Sequence, residues 1–232
     1  MEIELKIMSK SFAAKTALFN PDCRACPRLS GFLQEIRVQQ PVYFARPVPP
    51  FGDAKAELMI VGLAPGMHGA NRTGRPFTGD HAGILLYETL HAFGFANHAG
   101  SSEASDGLKL KNCRITNAVK CLPPQNKPDV LEIRRCNSYL AAEIAARPPR
   151  AILALGTIAH QAVLLAIGFK SKDFPFGHHA IHDLPGNKVA PKGLRLYDSY
   201  HCSRYNTQTR RLTPAMFQKV FSDIRNFISS DT

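Results

Sequence analysis

Two groups of residues in this chain have types and spacings that could do chemistry: four of its six cysteines and one glycine-rich run. Cys23 and Cys26 stand with two residues between them in PDCRACPRL, while Cys121 and Cys136 are separated by 14 residues, across LPPQNKPD and into a helical pattern. A Cys-x-x-Cys pair can turn both sulfurs toward one centre, and a second pair can supply the remaining corners of a four-thiolate site. Tetrahedral zinc and an iron-sulfur cluster use the same four thiolates, and unconnected buried thiols are the plainer alternative. The second pair is not spaced like a zinc ribbon, which favours the cluster. Of the two cysteines left over, Cys113 reads as a core thiol at the start of a strand. Cys202 follows His201 directly, and neighbours on an extended chain point to opposite sides, so no Cys and His nucleophile pair is expected there.

The glycine-rich run is GLAPGMHGANRTGRPFTGD, from Gly62 to Asp80. It has neither the dinucleotide nor the Walker spacing and no closing lysine, so no nucleotide cofactor is expected. It offers close backbone approach at Gly62, Gly66 and Gly69, a flat aromatic face at Phe77 and a carboxylate at Asp80. The competing reading makes Asp80 the N-cap of the next helix and Phe77 a core plug. A second run, SYHCSRYNTQTRRLT, brings His201, Ser203, Arg204, Tyr205, Asn206, Arg210 and Arg211 together, a mixture that meets phosphates and stacks on bases. Its plainer reading is a solvated basic loop. GHHAIH, with His178, His179 and His182, lies in a Gly- and Pro-rich connector without a ligand pattern, and no metal is expected there.

The elements that must position these residues alternate. AELMIVG (56–62), CRITNAVKC (113–121), AILALG (151–156) and LRLYDSYH (194–201) read as strands, with helical patterns after Asp80, Pro128, Gly156 and Thr213. Strands alternating with helices predict a three-layer α/β/α fold around a mainly four-stranded parallel sheet. Sites in such sheets gather beyond the carboxyl ends of the strands, which is where both runs and Asn117 fall.

The 232 residues are 44% hydrophobic, enough for one core, so a single domain over 1–232 is expected. The formal charge of +11 makes polyanions the first partner to consider. The N-terminal stretch has no signal-peptide pattern and no run is long enough for a membrane span, which predicts a cytoplasmic protein, with monomer as its expected state.

Taken together, GLAPGMHGANRTGRPFTGD, NAVKCLPPQNKP, the four cysteines and SYHCSRYN closely resemble the family 5, or type B, uracil-DNA glycosylases, over Cys23 to about Phe217. The resemblance implies a [4Fe-4S] cluster on Cys23, Cys26, Cys121 and Cys136. It also implies a monofunctional enzyme of base excision repair that flips uracil, or another deaminated base such as hypoxanthine or xanthine, out of DNA and hydrolyses its bond to deoxyribose. By the same resemblance Phe77 stacks on the flipped base, and Asn117 pairs with uracil in a way cytosine does not satisfy. His201 stabilises the departing base's negative charge, the turn holding Gly62, Ala64 and Gly66 lines the base site, and Asp80 orients the attacking water. The superfamily often has a polar or acidic residue where this chain has Ala64. Two further departures are HCS where the family usually reads HPS, and TRRLT where it often reads TGRLT, so that Arg210 replaces a glycine. The rivals are a non-catalytic iron-sulfur module that binds DNA or senses redox state, and a zinc hydrolase.

Overall fold

The computed structural model describes residues 19–230, so the N-terminal reading lies outside the described residues apart from Phe19. Four parallel strands form the centre: β2 (Leu58–Gly62), β3 (Cys113–Asn117), β4 (Ala151–Leu155) and β6 (Arg195–Ser199). Every residue of β2 and β4 is buried, as expected of interior strands covered by helices on both faces. The sheet is wider than the sequence predicts. Antiparallel edge strands β1 (Phe51–Gly52) and β5 (Ile181–Asp183) complete the order β1-β3-β2-β4-β6-β5. Two and three residues are too short to show a period, and β5 falls in the histidine connector that reads as a loop.

Among the described residues, seven α-helices accompany the strands: α1 (Pro27–Gln39), α2 (Ala70–Thr73), α3 (His81–Ala92), α4 (Val130–Ala146), α5 (Thr157–Ala166), α6 (Arg204–Gln208) and α7 (Pro214–Ser229). One face of the sheet packs under α3 and α7 through Leu86, Leu90, Phe217 and Phe221, and the other under α4 and α5 through Leu140, Ile144, Val163 and Leu164. A third cluster, with Leu29, Leu33 and Ile36 of α1 against Val119 and Leu122, joins α1 to the loop after β3. The helix starts are encoded locally: Asp129 and Glu132 form a capping box on α4, and Thr213 with Pro214 opens α7. Among the described residues, no helix is long and apolar enough to cross a membrane.

Candidate active site and cysteine cradle

The loops after β2, β3 and β6 meet in a cleft of about 380 Å³ lined by Ala64, Gly66, Phe77, Asp80, Asn117, His201, Ser203 and Arg204, among others. Both runs and the end of β3 thus share one concavity. Five residues that the sequence reading did not single out also line it: Leu63, Ala70, His81, Ala82 and Asn126. The sequence signal for His81 was its place beside Asp80, and for Asn126 its place in the PPQN turn.

Gly62 ends β2 in register with Asn117 at the end of β3. A methyl group at Gly62 would stand 2.5 Å from Asn117 Oδ1 and 2.7 Å from Phe77 Cζ, so this glycine lets both side chains lie against the strand end. Asn117 Oδ1 is buried without a hydrogen-bond partner. A buried acceptor left unmet costs about 1–3 kcal/mol, which a ligand N–H would recover.

Phe77 adopts φ 53, a conformation that side chains rarely take. Its neighbours hold it there. The Tyr87 hydroxyl donates to the Pro76 carbonyl at 2.7 Å. The buried Arg75 guanidinium donates to Thr78 Oγ1 at 2.7 Å and to both oxygens of Asp106 at 2.9 and 2.6 Å. Arg75 is therefore a brace for the turn, and its fork holds the Asp106 carboxyl far below the usual carboxylate range. The Phe77 ring stacks on His201, with centroids 5.8 Å apart and planes inclined by 30°. It also belongs to the core cluster beneath α3, so it is both a core plug and a wall of the cleft.

Asp80 caps the next helix and also borders the cleft. Its Oδ1 accepts from Gly83 N at 2.9 Å and caps α3, while Oδ2 lies against Gly69 beside the cleft. Burial raises its pKa above the ordinary value of 3.8, against the opposing backbone hydrogen bonds from Gly83 and Ala82. His201 follows β6, and burial lowers its pKa to about 4, so the imidazole is neutral near pH 7. Cys202 is fully buried with its thiol pKa pushed up by desolvation, which rules out an accessible thiolate beside His201.

The rest of the second run divides. Ser203 caps α6, accepting from Asn206 N at 3.5 Å, and lines the cleft with Arg204. The Asn206 amide turns inward and donates to the His201 carbonyl at 2.7 Å, holding the loop. Tyr205 and Arg210 are exposed and do not line the cleft. Arg210 adopts φ 56, a left-handed backbone that glycine takes far more readily than arginine. His81 Nε2 lies 2.9 Å from Thr207 Oγ1, joining the start of α3 to α6.

The four cysteines also converge. Cys23, Cys26, Cys121 and Cys136 line one pocket with Leu29, Pro47, Val119 and Tyr139. Lys120 N donates to Cys136 Sγ at 3.3 Å, and Arg135 donates to the Ala25 carbonyl at 3.3 Å. Arg135 thus faces the cysteine segment. Among the described residues, three ligand-type atoms within 4.8 Å of one another occur at His160, His182 and Asp198, and not at the cysteines. The histidine group is satisfied internally: Asp198 takes His160 at 2.8 Å and His182 at 3.2 Å, and His160 Nε2 donates to the Phe174 carbonyl at 2.8 Å.

A parallel sheet with its cleft beyond the carboxyl ends, floored by Phe77 and flanked by Asn117 and His201, defines a class. The chain belongs to the uracil DNA glycosylase superfamily, whose family model matches residues 49–225. It is similar along most of its length to proteins named type-5 uracil-DNA glycosylase. That of Thermus thermophilus is 44% identical over 209 residues, covering 88% of this chain and 92% of the relative. That of Mycobacterium leprae is 44% identical over 213 residues, covering 88% and 90%, and that of Pyrobaculum aerophilum 41% over 203 residues, covering 86% of each.

Proposed function

We propose that this protein is a monofunctional uracil-DNA glycosylase of base excision repair, which hydrolyses the bond between a flipped base and deoxyribose. The observation that supports this most is the unpaired Asn117 Oδ1 in the wall of a cleft that also holds Phe77, His201 and Asp80. The Asn117 amide accepts from a ring N–H and donates to an adjacent base oxygen, which uracil offers and cytosine does not. Phe77 supplies the stacking face. Neutral His201 donates a hydrogen bond to the carbonyl on which charge gathers as the base leaves. Asp80, with one oxygen on the helix start and one beside the cleft, orients water toward the sugar and stabilises its positive charge. Gly62, Ala64 and Gly66 bring backbone close to the base, and the Ala64 methyl leaves room for deaminated purines such as hypoxanthine and xanthine. Ser203, Arg204, Tyr205, Asn206 and Arg210 form or shape the surface that follows the DNA backbone.

The cysteine cradle suits a [4Fe-4S] cluster. The four cysteines line one largely apolar pocket, and the Cys121 and Cys136 pair lacks zinc-ribbon spacing, which together support a cluster over a single zinc ion. When bound, the cluster staples Cys23 and Cys26 to α4 and to the loop after β3. The six free cysteines suit a reducing cytoplasm. The sheet across 51–199 with helices on both faces supports one domain.

Single-turnover assays on a duplex with one uracil test the function. Excision leaving an alkali-labile abasic site is expected, with Asn117→Ala and His201→Ala losing the rate while retaining DNA binding. No excision would refute it, and a borohydride-trapped adduct would refute the monofunctional mechanism. Cys136→Ser is expected to lose iron and visible absorbance, and full iron retention would refute the ligand set.

A further inference from the structure

Three groups on three elements turn toward one point away from the cleft: His160 on α5, His182 on β5 and Asp198 on β6. A nitrogen of each imidazole and a carboxylate oxygen lie within 4.8 Å of one another. His160 Nδ1 is 2.8 Å from Asp198 Oδ1, and His182 Nε2 is 3.2 Å from Oδ2. The side chains of Asp198 and His160 are buried, and that of His182 is 12% exposed. A carboxylate so placed needs positive charge beside it.

The far nitrogen of His160 narrows what can supply that charge. Nε2 is 2.8 Å from the Phe174 carbonyl, and a carbonyl only accepts, so Nε2 carries the hydrogen. A neutral His160 therefore turns the lone pair of Nδ1 toward Asp198 Oδ1, itself an acceptor. Two acceptors 2.8 Å apart need a cation between them, either a second proton or a metal ion. A metal-binding histidine is oriented in this way, its distal N–H fixed by a backbone carbonyl so that the other nitrogen faces the ion. The Phe176 ring lies 5.6 Å from that of His160 and the Phe174 ring 5.8 Å from that of His182, which walls the group with apolar surface.

We propose that His160, His182 and Asp198 form a zinc site, separate from both the cysteines and the cleft, with a fourth position left for water. Two imidazoles and a carboxylate are a donor set of zinc, and bonds of about 2.0–2.1 Å put tetrahedral ligand atoms about 3.3 Å apart. The spacings of 2.8 and 3.2 Å are close to that, and His182, on a three-residue edge strand, is the ligand with room to adjust. Binding exchanges the protons between the imidazoles and the carboxylate for one ion, and those protons leave to solvent. The ion then ties the histidine connector and α5 to the strand that ends two residues before His201. Only His182 belongs to the GHHAIH run, and its partners lie 22 residues before it and 16 after it, so the run alone shows no ligand pattern.

The test is zinc binding by the full chain as purified. The protein is dialysed against zinc and then against metal-free buffer, its zinc and iron are measured, and X-ray absorption at the zinc edge reads the ligands. One retained zinc per chain is expected, with iron unchanged, nitrogen and oxygen ligands at about 2.0–2.1 Å and no sulfur near 2.3 Å. Zinc at about a hundredfold excess over its Kd should raise the melting temperature by about 5–10 °C. His182→Ala removes a partly exposed ligand from an edge strand, and it should lose the zinc and the shift while keeping its circular dichroism. Asp198→Asn, which keeps the shape and removes the charge, should lose them too, whereas His179→Ala, outside the group, should retain both. No retained zinc, zinc bound through sulfur, undiminished zinc in His182→Ala, or equal loss in His179→Ala would overturn the proposal. None of these readouts is an excision rate, so the outcome is independent of the glycosylase reading.

Discussion

Gly69→Ala should disable the site through Asp80 alone. Gly69 has a negative φ of −99, so the conflict is one of contact. The new methyl group would stand 2.6 Å from Asp80 Cβ and 2.8 Å from its Cγ, and closer still to Oδ2. Restoring an ordinary contact requires the carboxyl group to retreat by about 1 Å, a misplacement that costs an enzyme on the order of 100-fold in rate. The same retreat weakens the cap on α3, a loss of about 1 kcal/mol. Stopped single-turnover reactions on uracil duplex measure the rate, and fluorescence anisotropy checks that DNA affinity holds. The decisive arm is a double-mutant cycle with Asp80→Asn. If the methyl group acts by moving a working carboxylate, adding Gly69→Ala to Asp80→Asn changes the rate little further. A wild-type rate in Gly69→Ala, or losses that multiply in the double variant, would refute the reasoning.

The pH profile of excision should show an acid limb set by Asp80. On the proposed mechanism the ionised carboxylate is the working form, so activity falls as pH drops through a pKa that burial has raised above 3.8, while His201 stays neutral until about pH 4. An Asp80→Asn variant whose residual rate keeps the same limb would contradict this assignment. Arg210→Gly should relieve about 1 kcal/mol of left-handed strain and raise the melting temperature by roughly 2–4 °C. It should also flatten the salt dependence of DNA binding by about one unit if Arg210 meets a phosphate. Lys120 is buried with its ammonium 2.6 Å from Glu143 Oε1 and on the Thr116 hydroxyl. Lys120→Met alone should cost about 3–5 kcal/mol by stranding the Glu143 charge, and pairing it with Glu143→Leu should recover most of that. Denaturant titration separates the two, and a mild single variant would show that the pair is dispensable.

The sequence by itself determined the four parallel strands, because β2 and β4 are continuous apolar runs that only an interior position accommodates. It also determined the helices after Asp80, Pro128, Gly156 and Thr213, whose caps and prolines are local signals. It marked Phe77, Asp80, Asn117 and His201 as residues to watch, through the unusual loops that follow the strands and the family resemblance their motifs carry. What it left open at Asp80 was a choice between cap and site. Tertiary structure makes the two placements compatible, because one carboxylate oxygen takes Gly83 N while the other lies toward Gly69 beside the cleft. The short edge strands, the inward turn of Asn206, the bracing by Arg75 and the left-handed backbone at Phe77, Gln125 and Arg210 were decided only by folding. In each, partners distant in sequence override a local preference worth about 1 kcal/mol, and no local pattern records such a partner. The placement of Asn126 in the cleft is of the same kind: its turn is set by Arg28, a residue almost a hundred positions away.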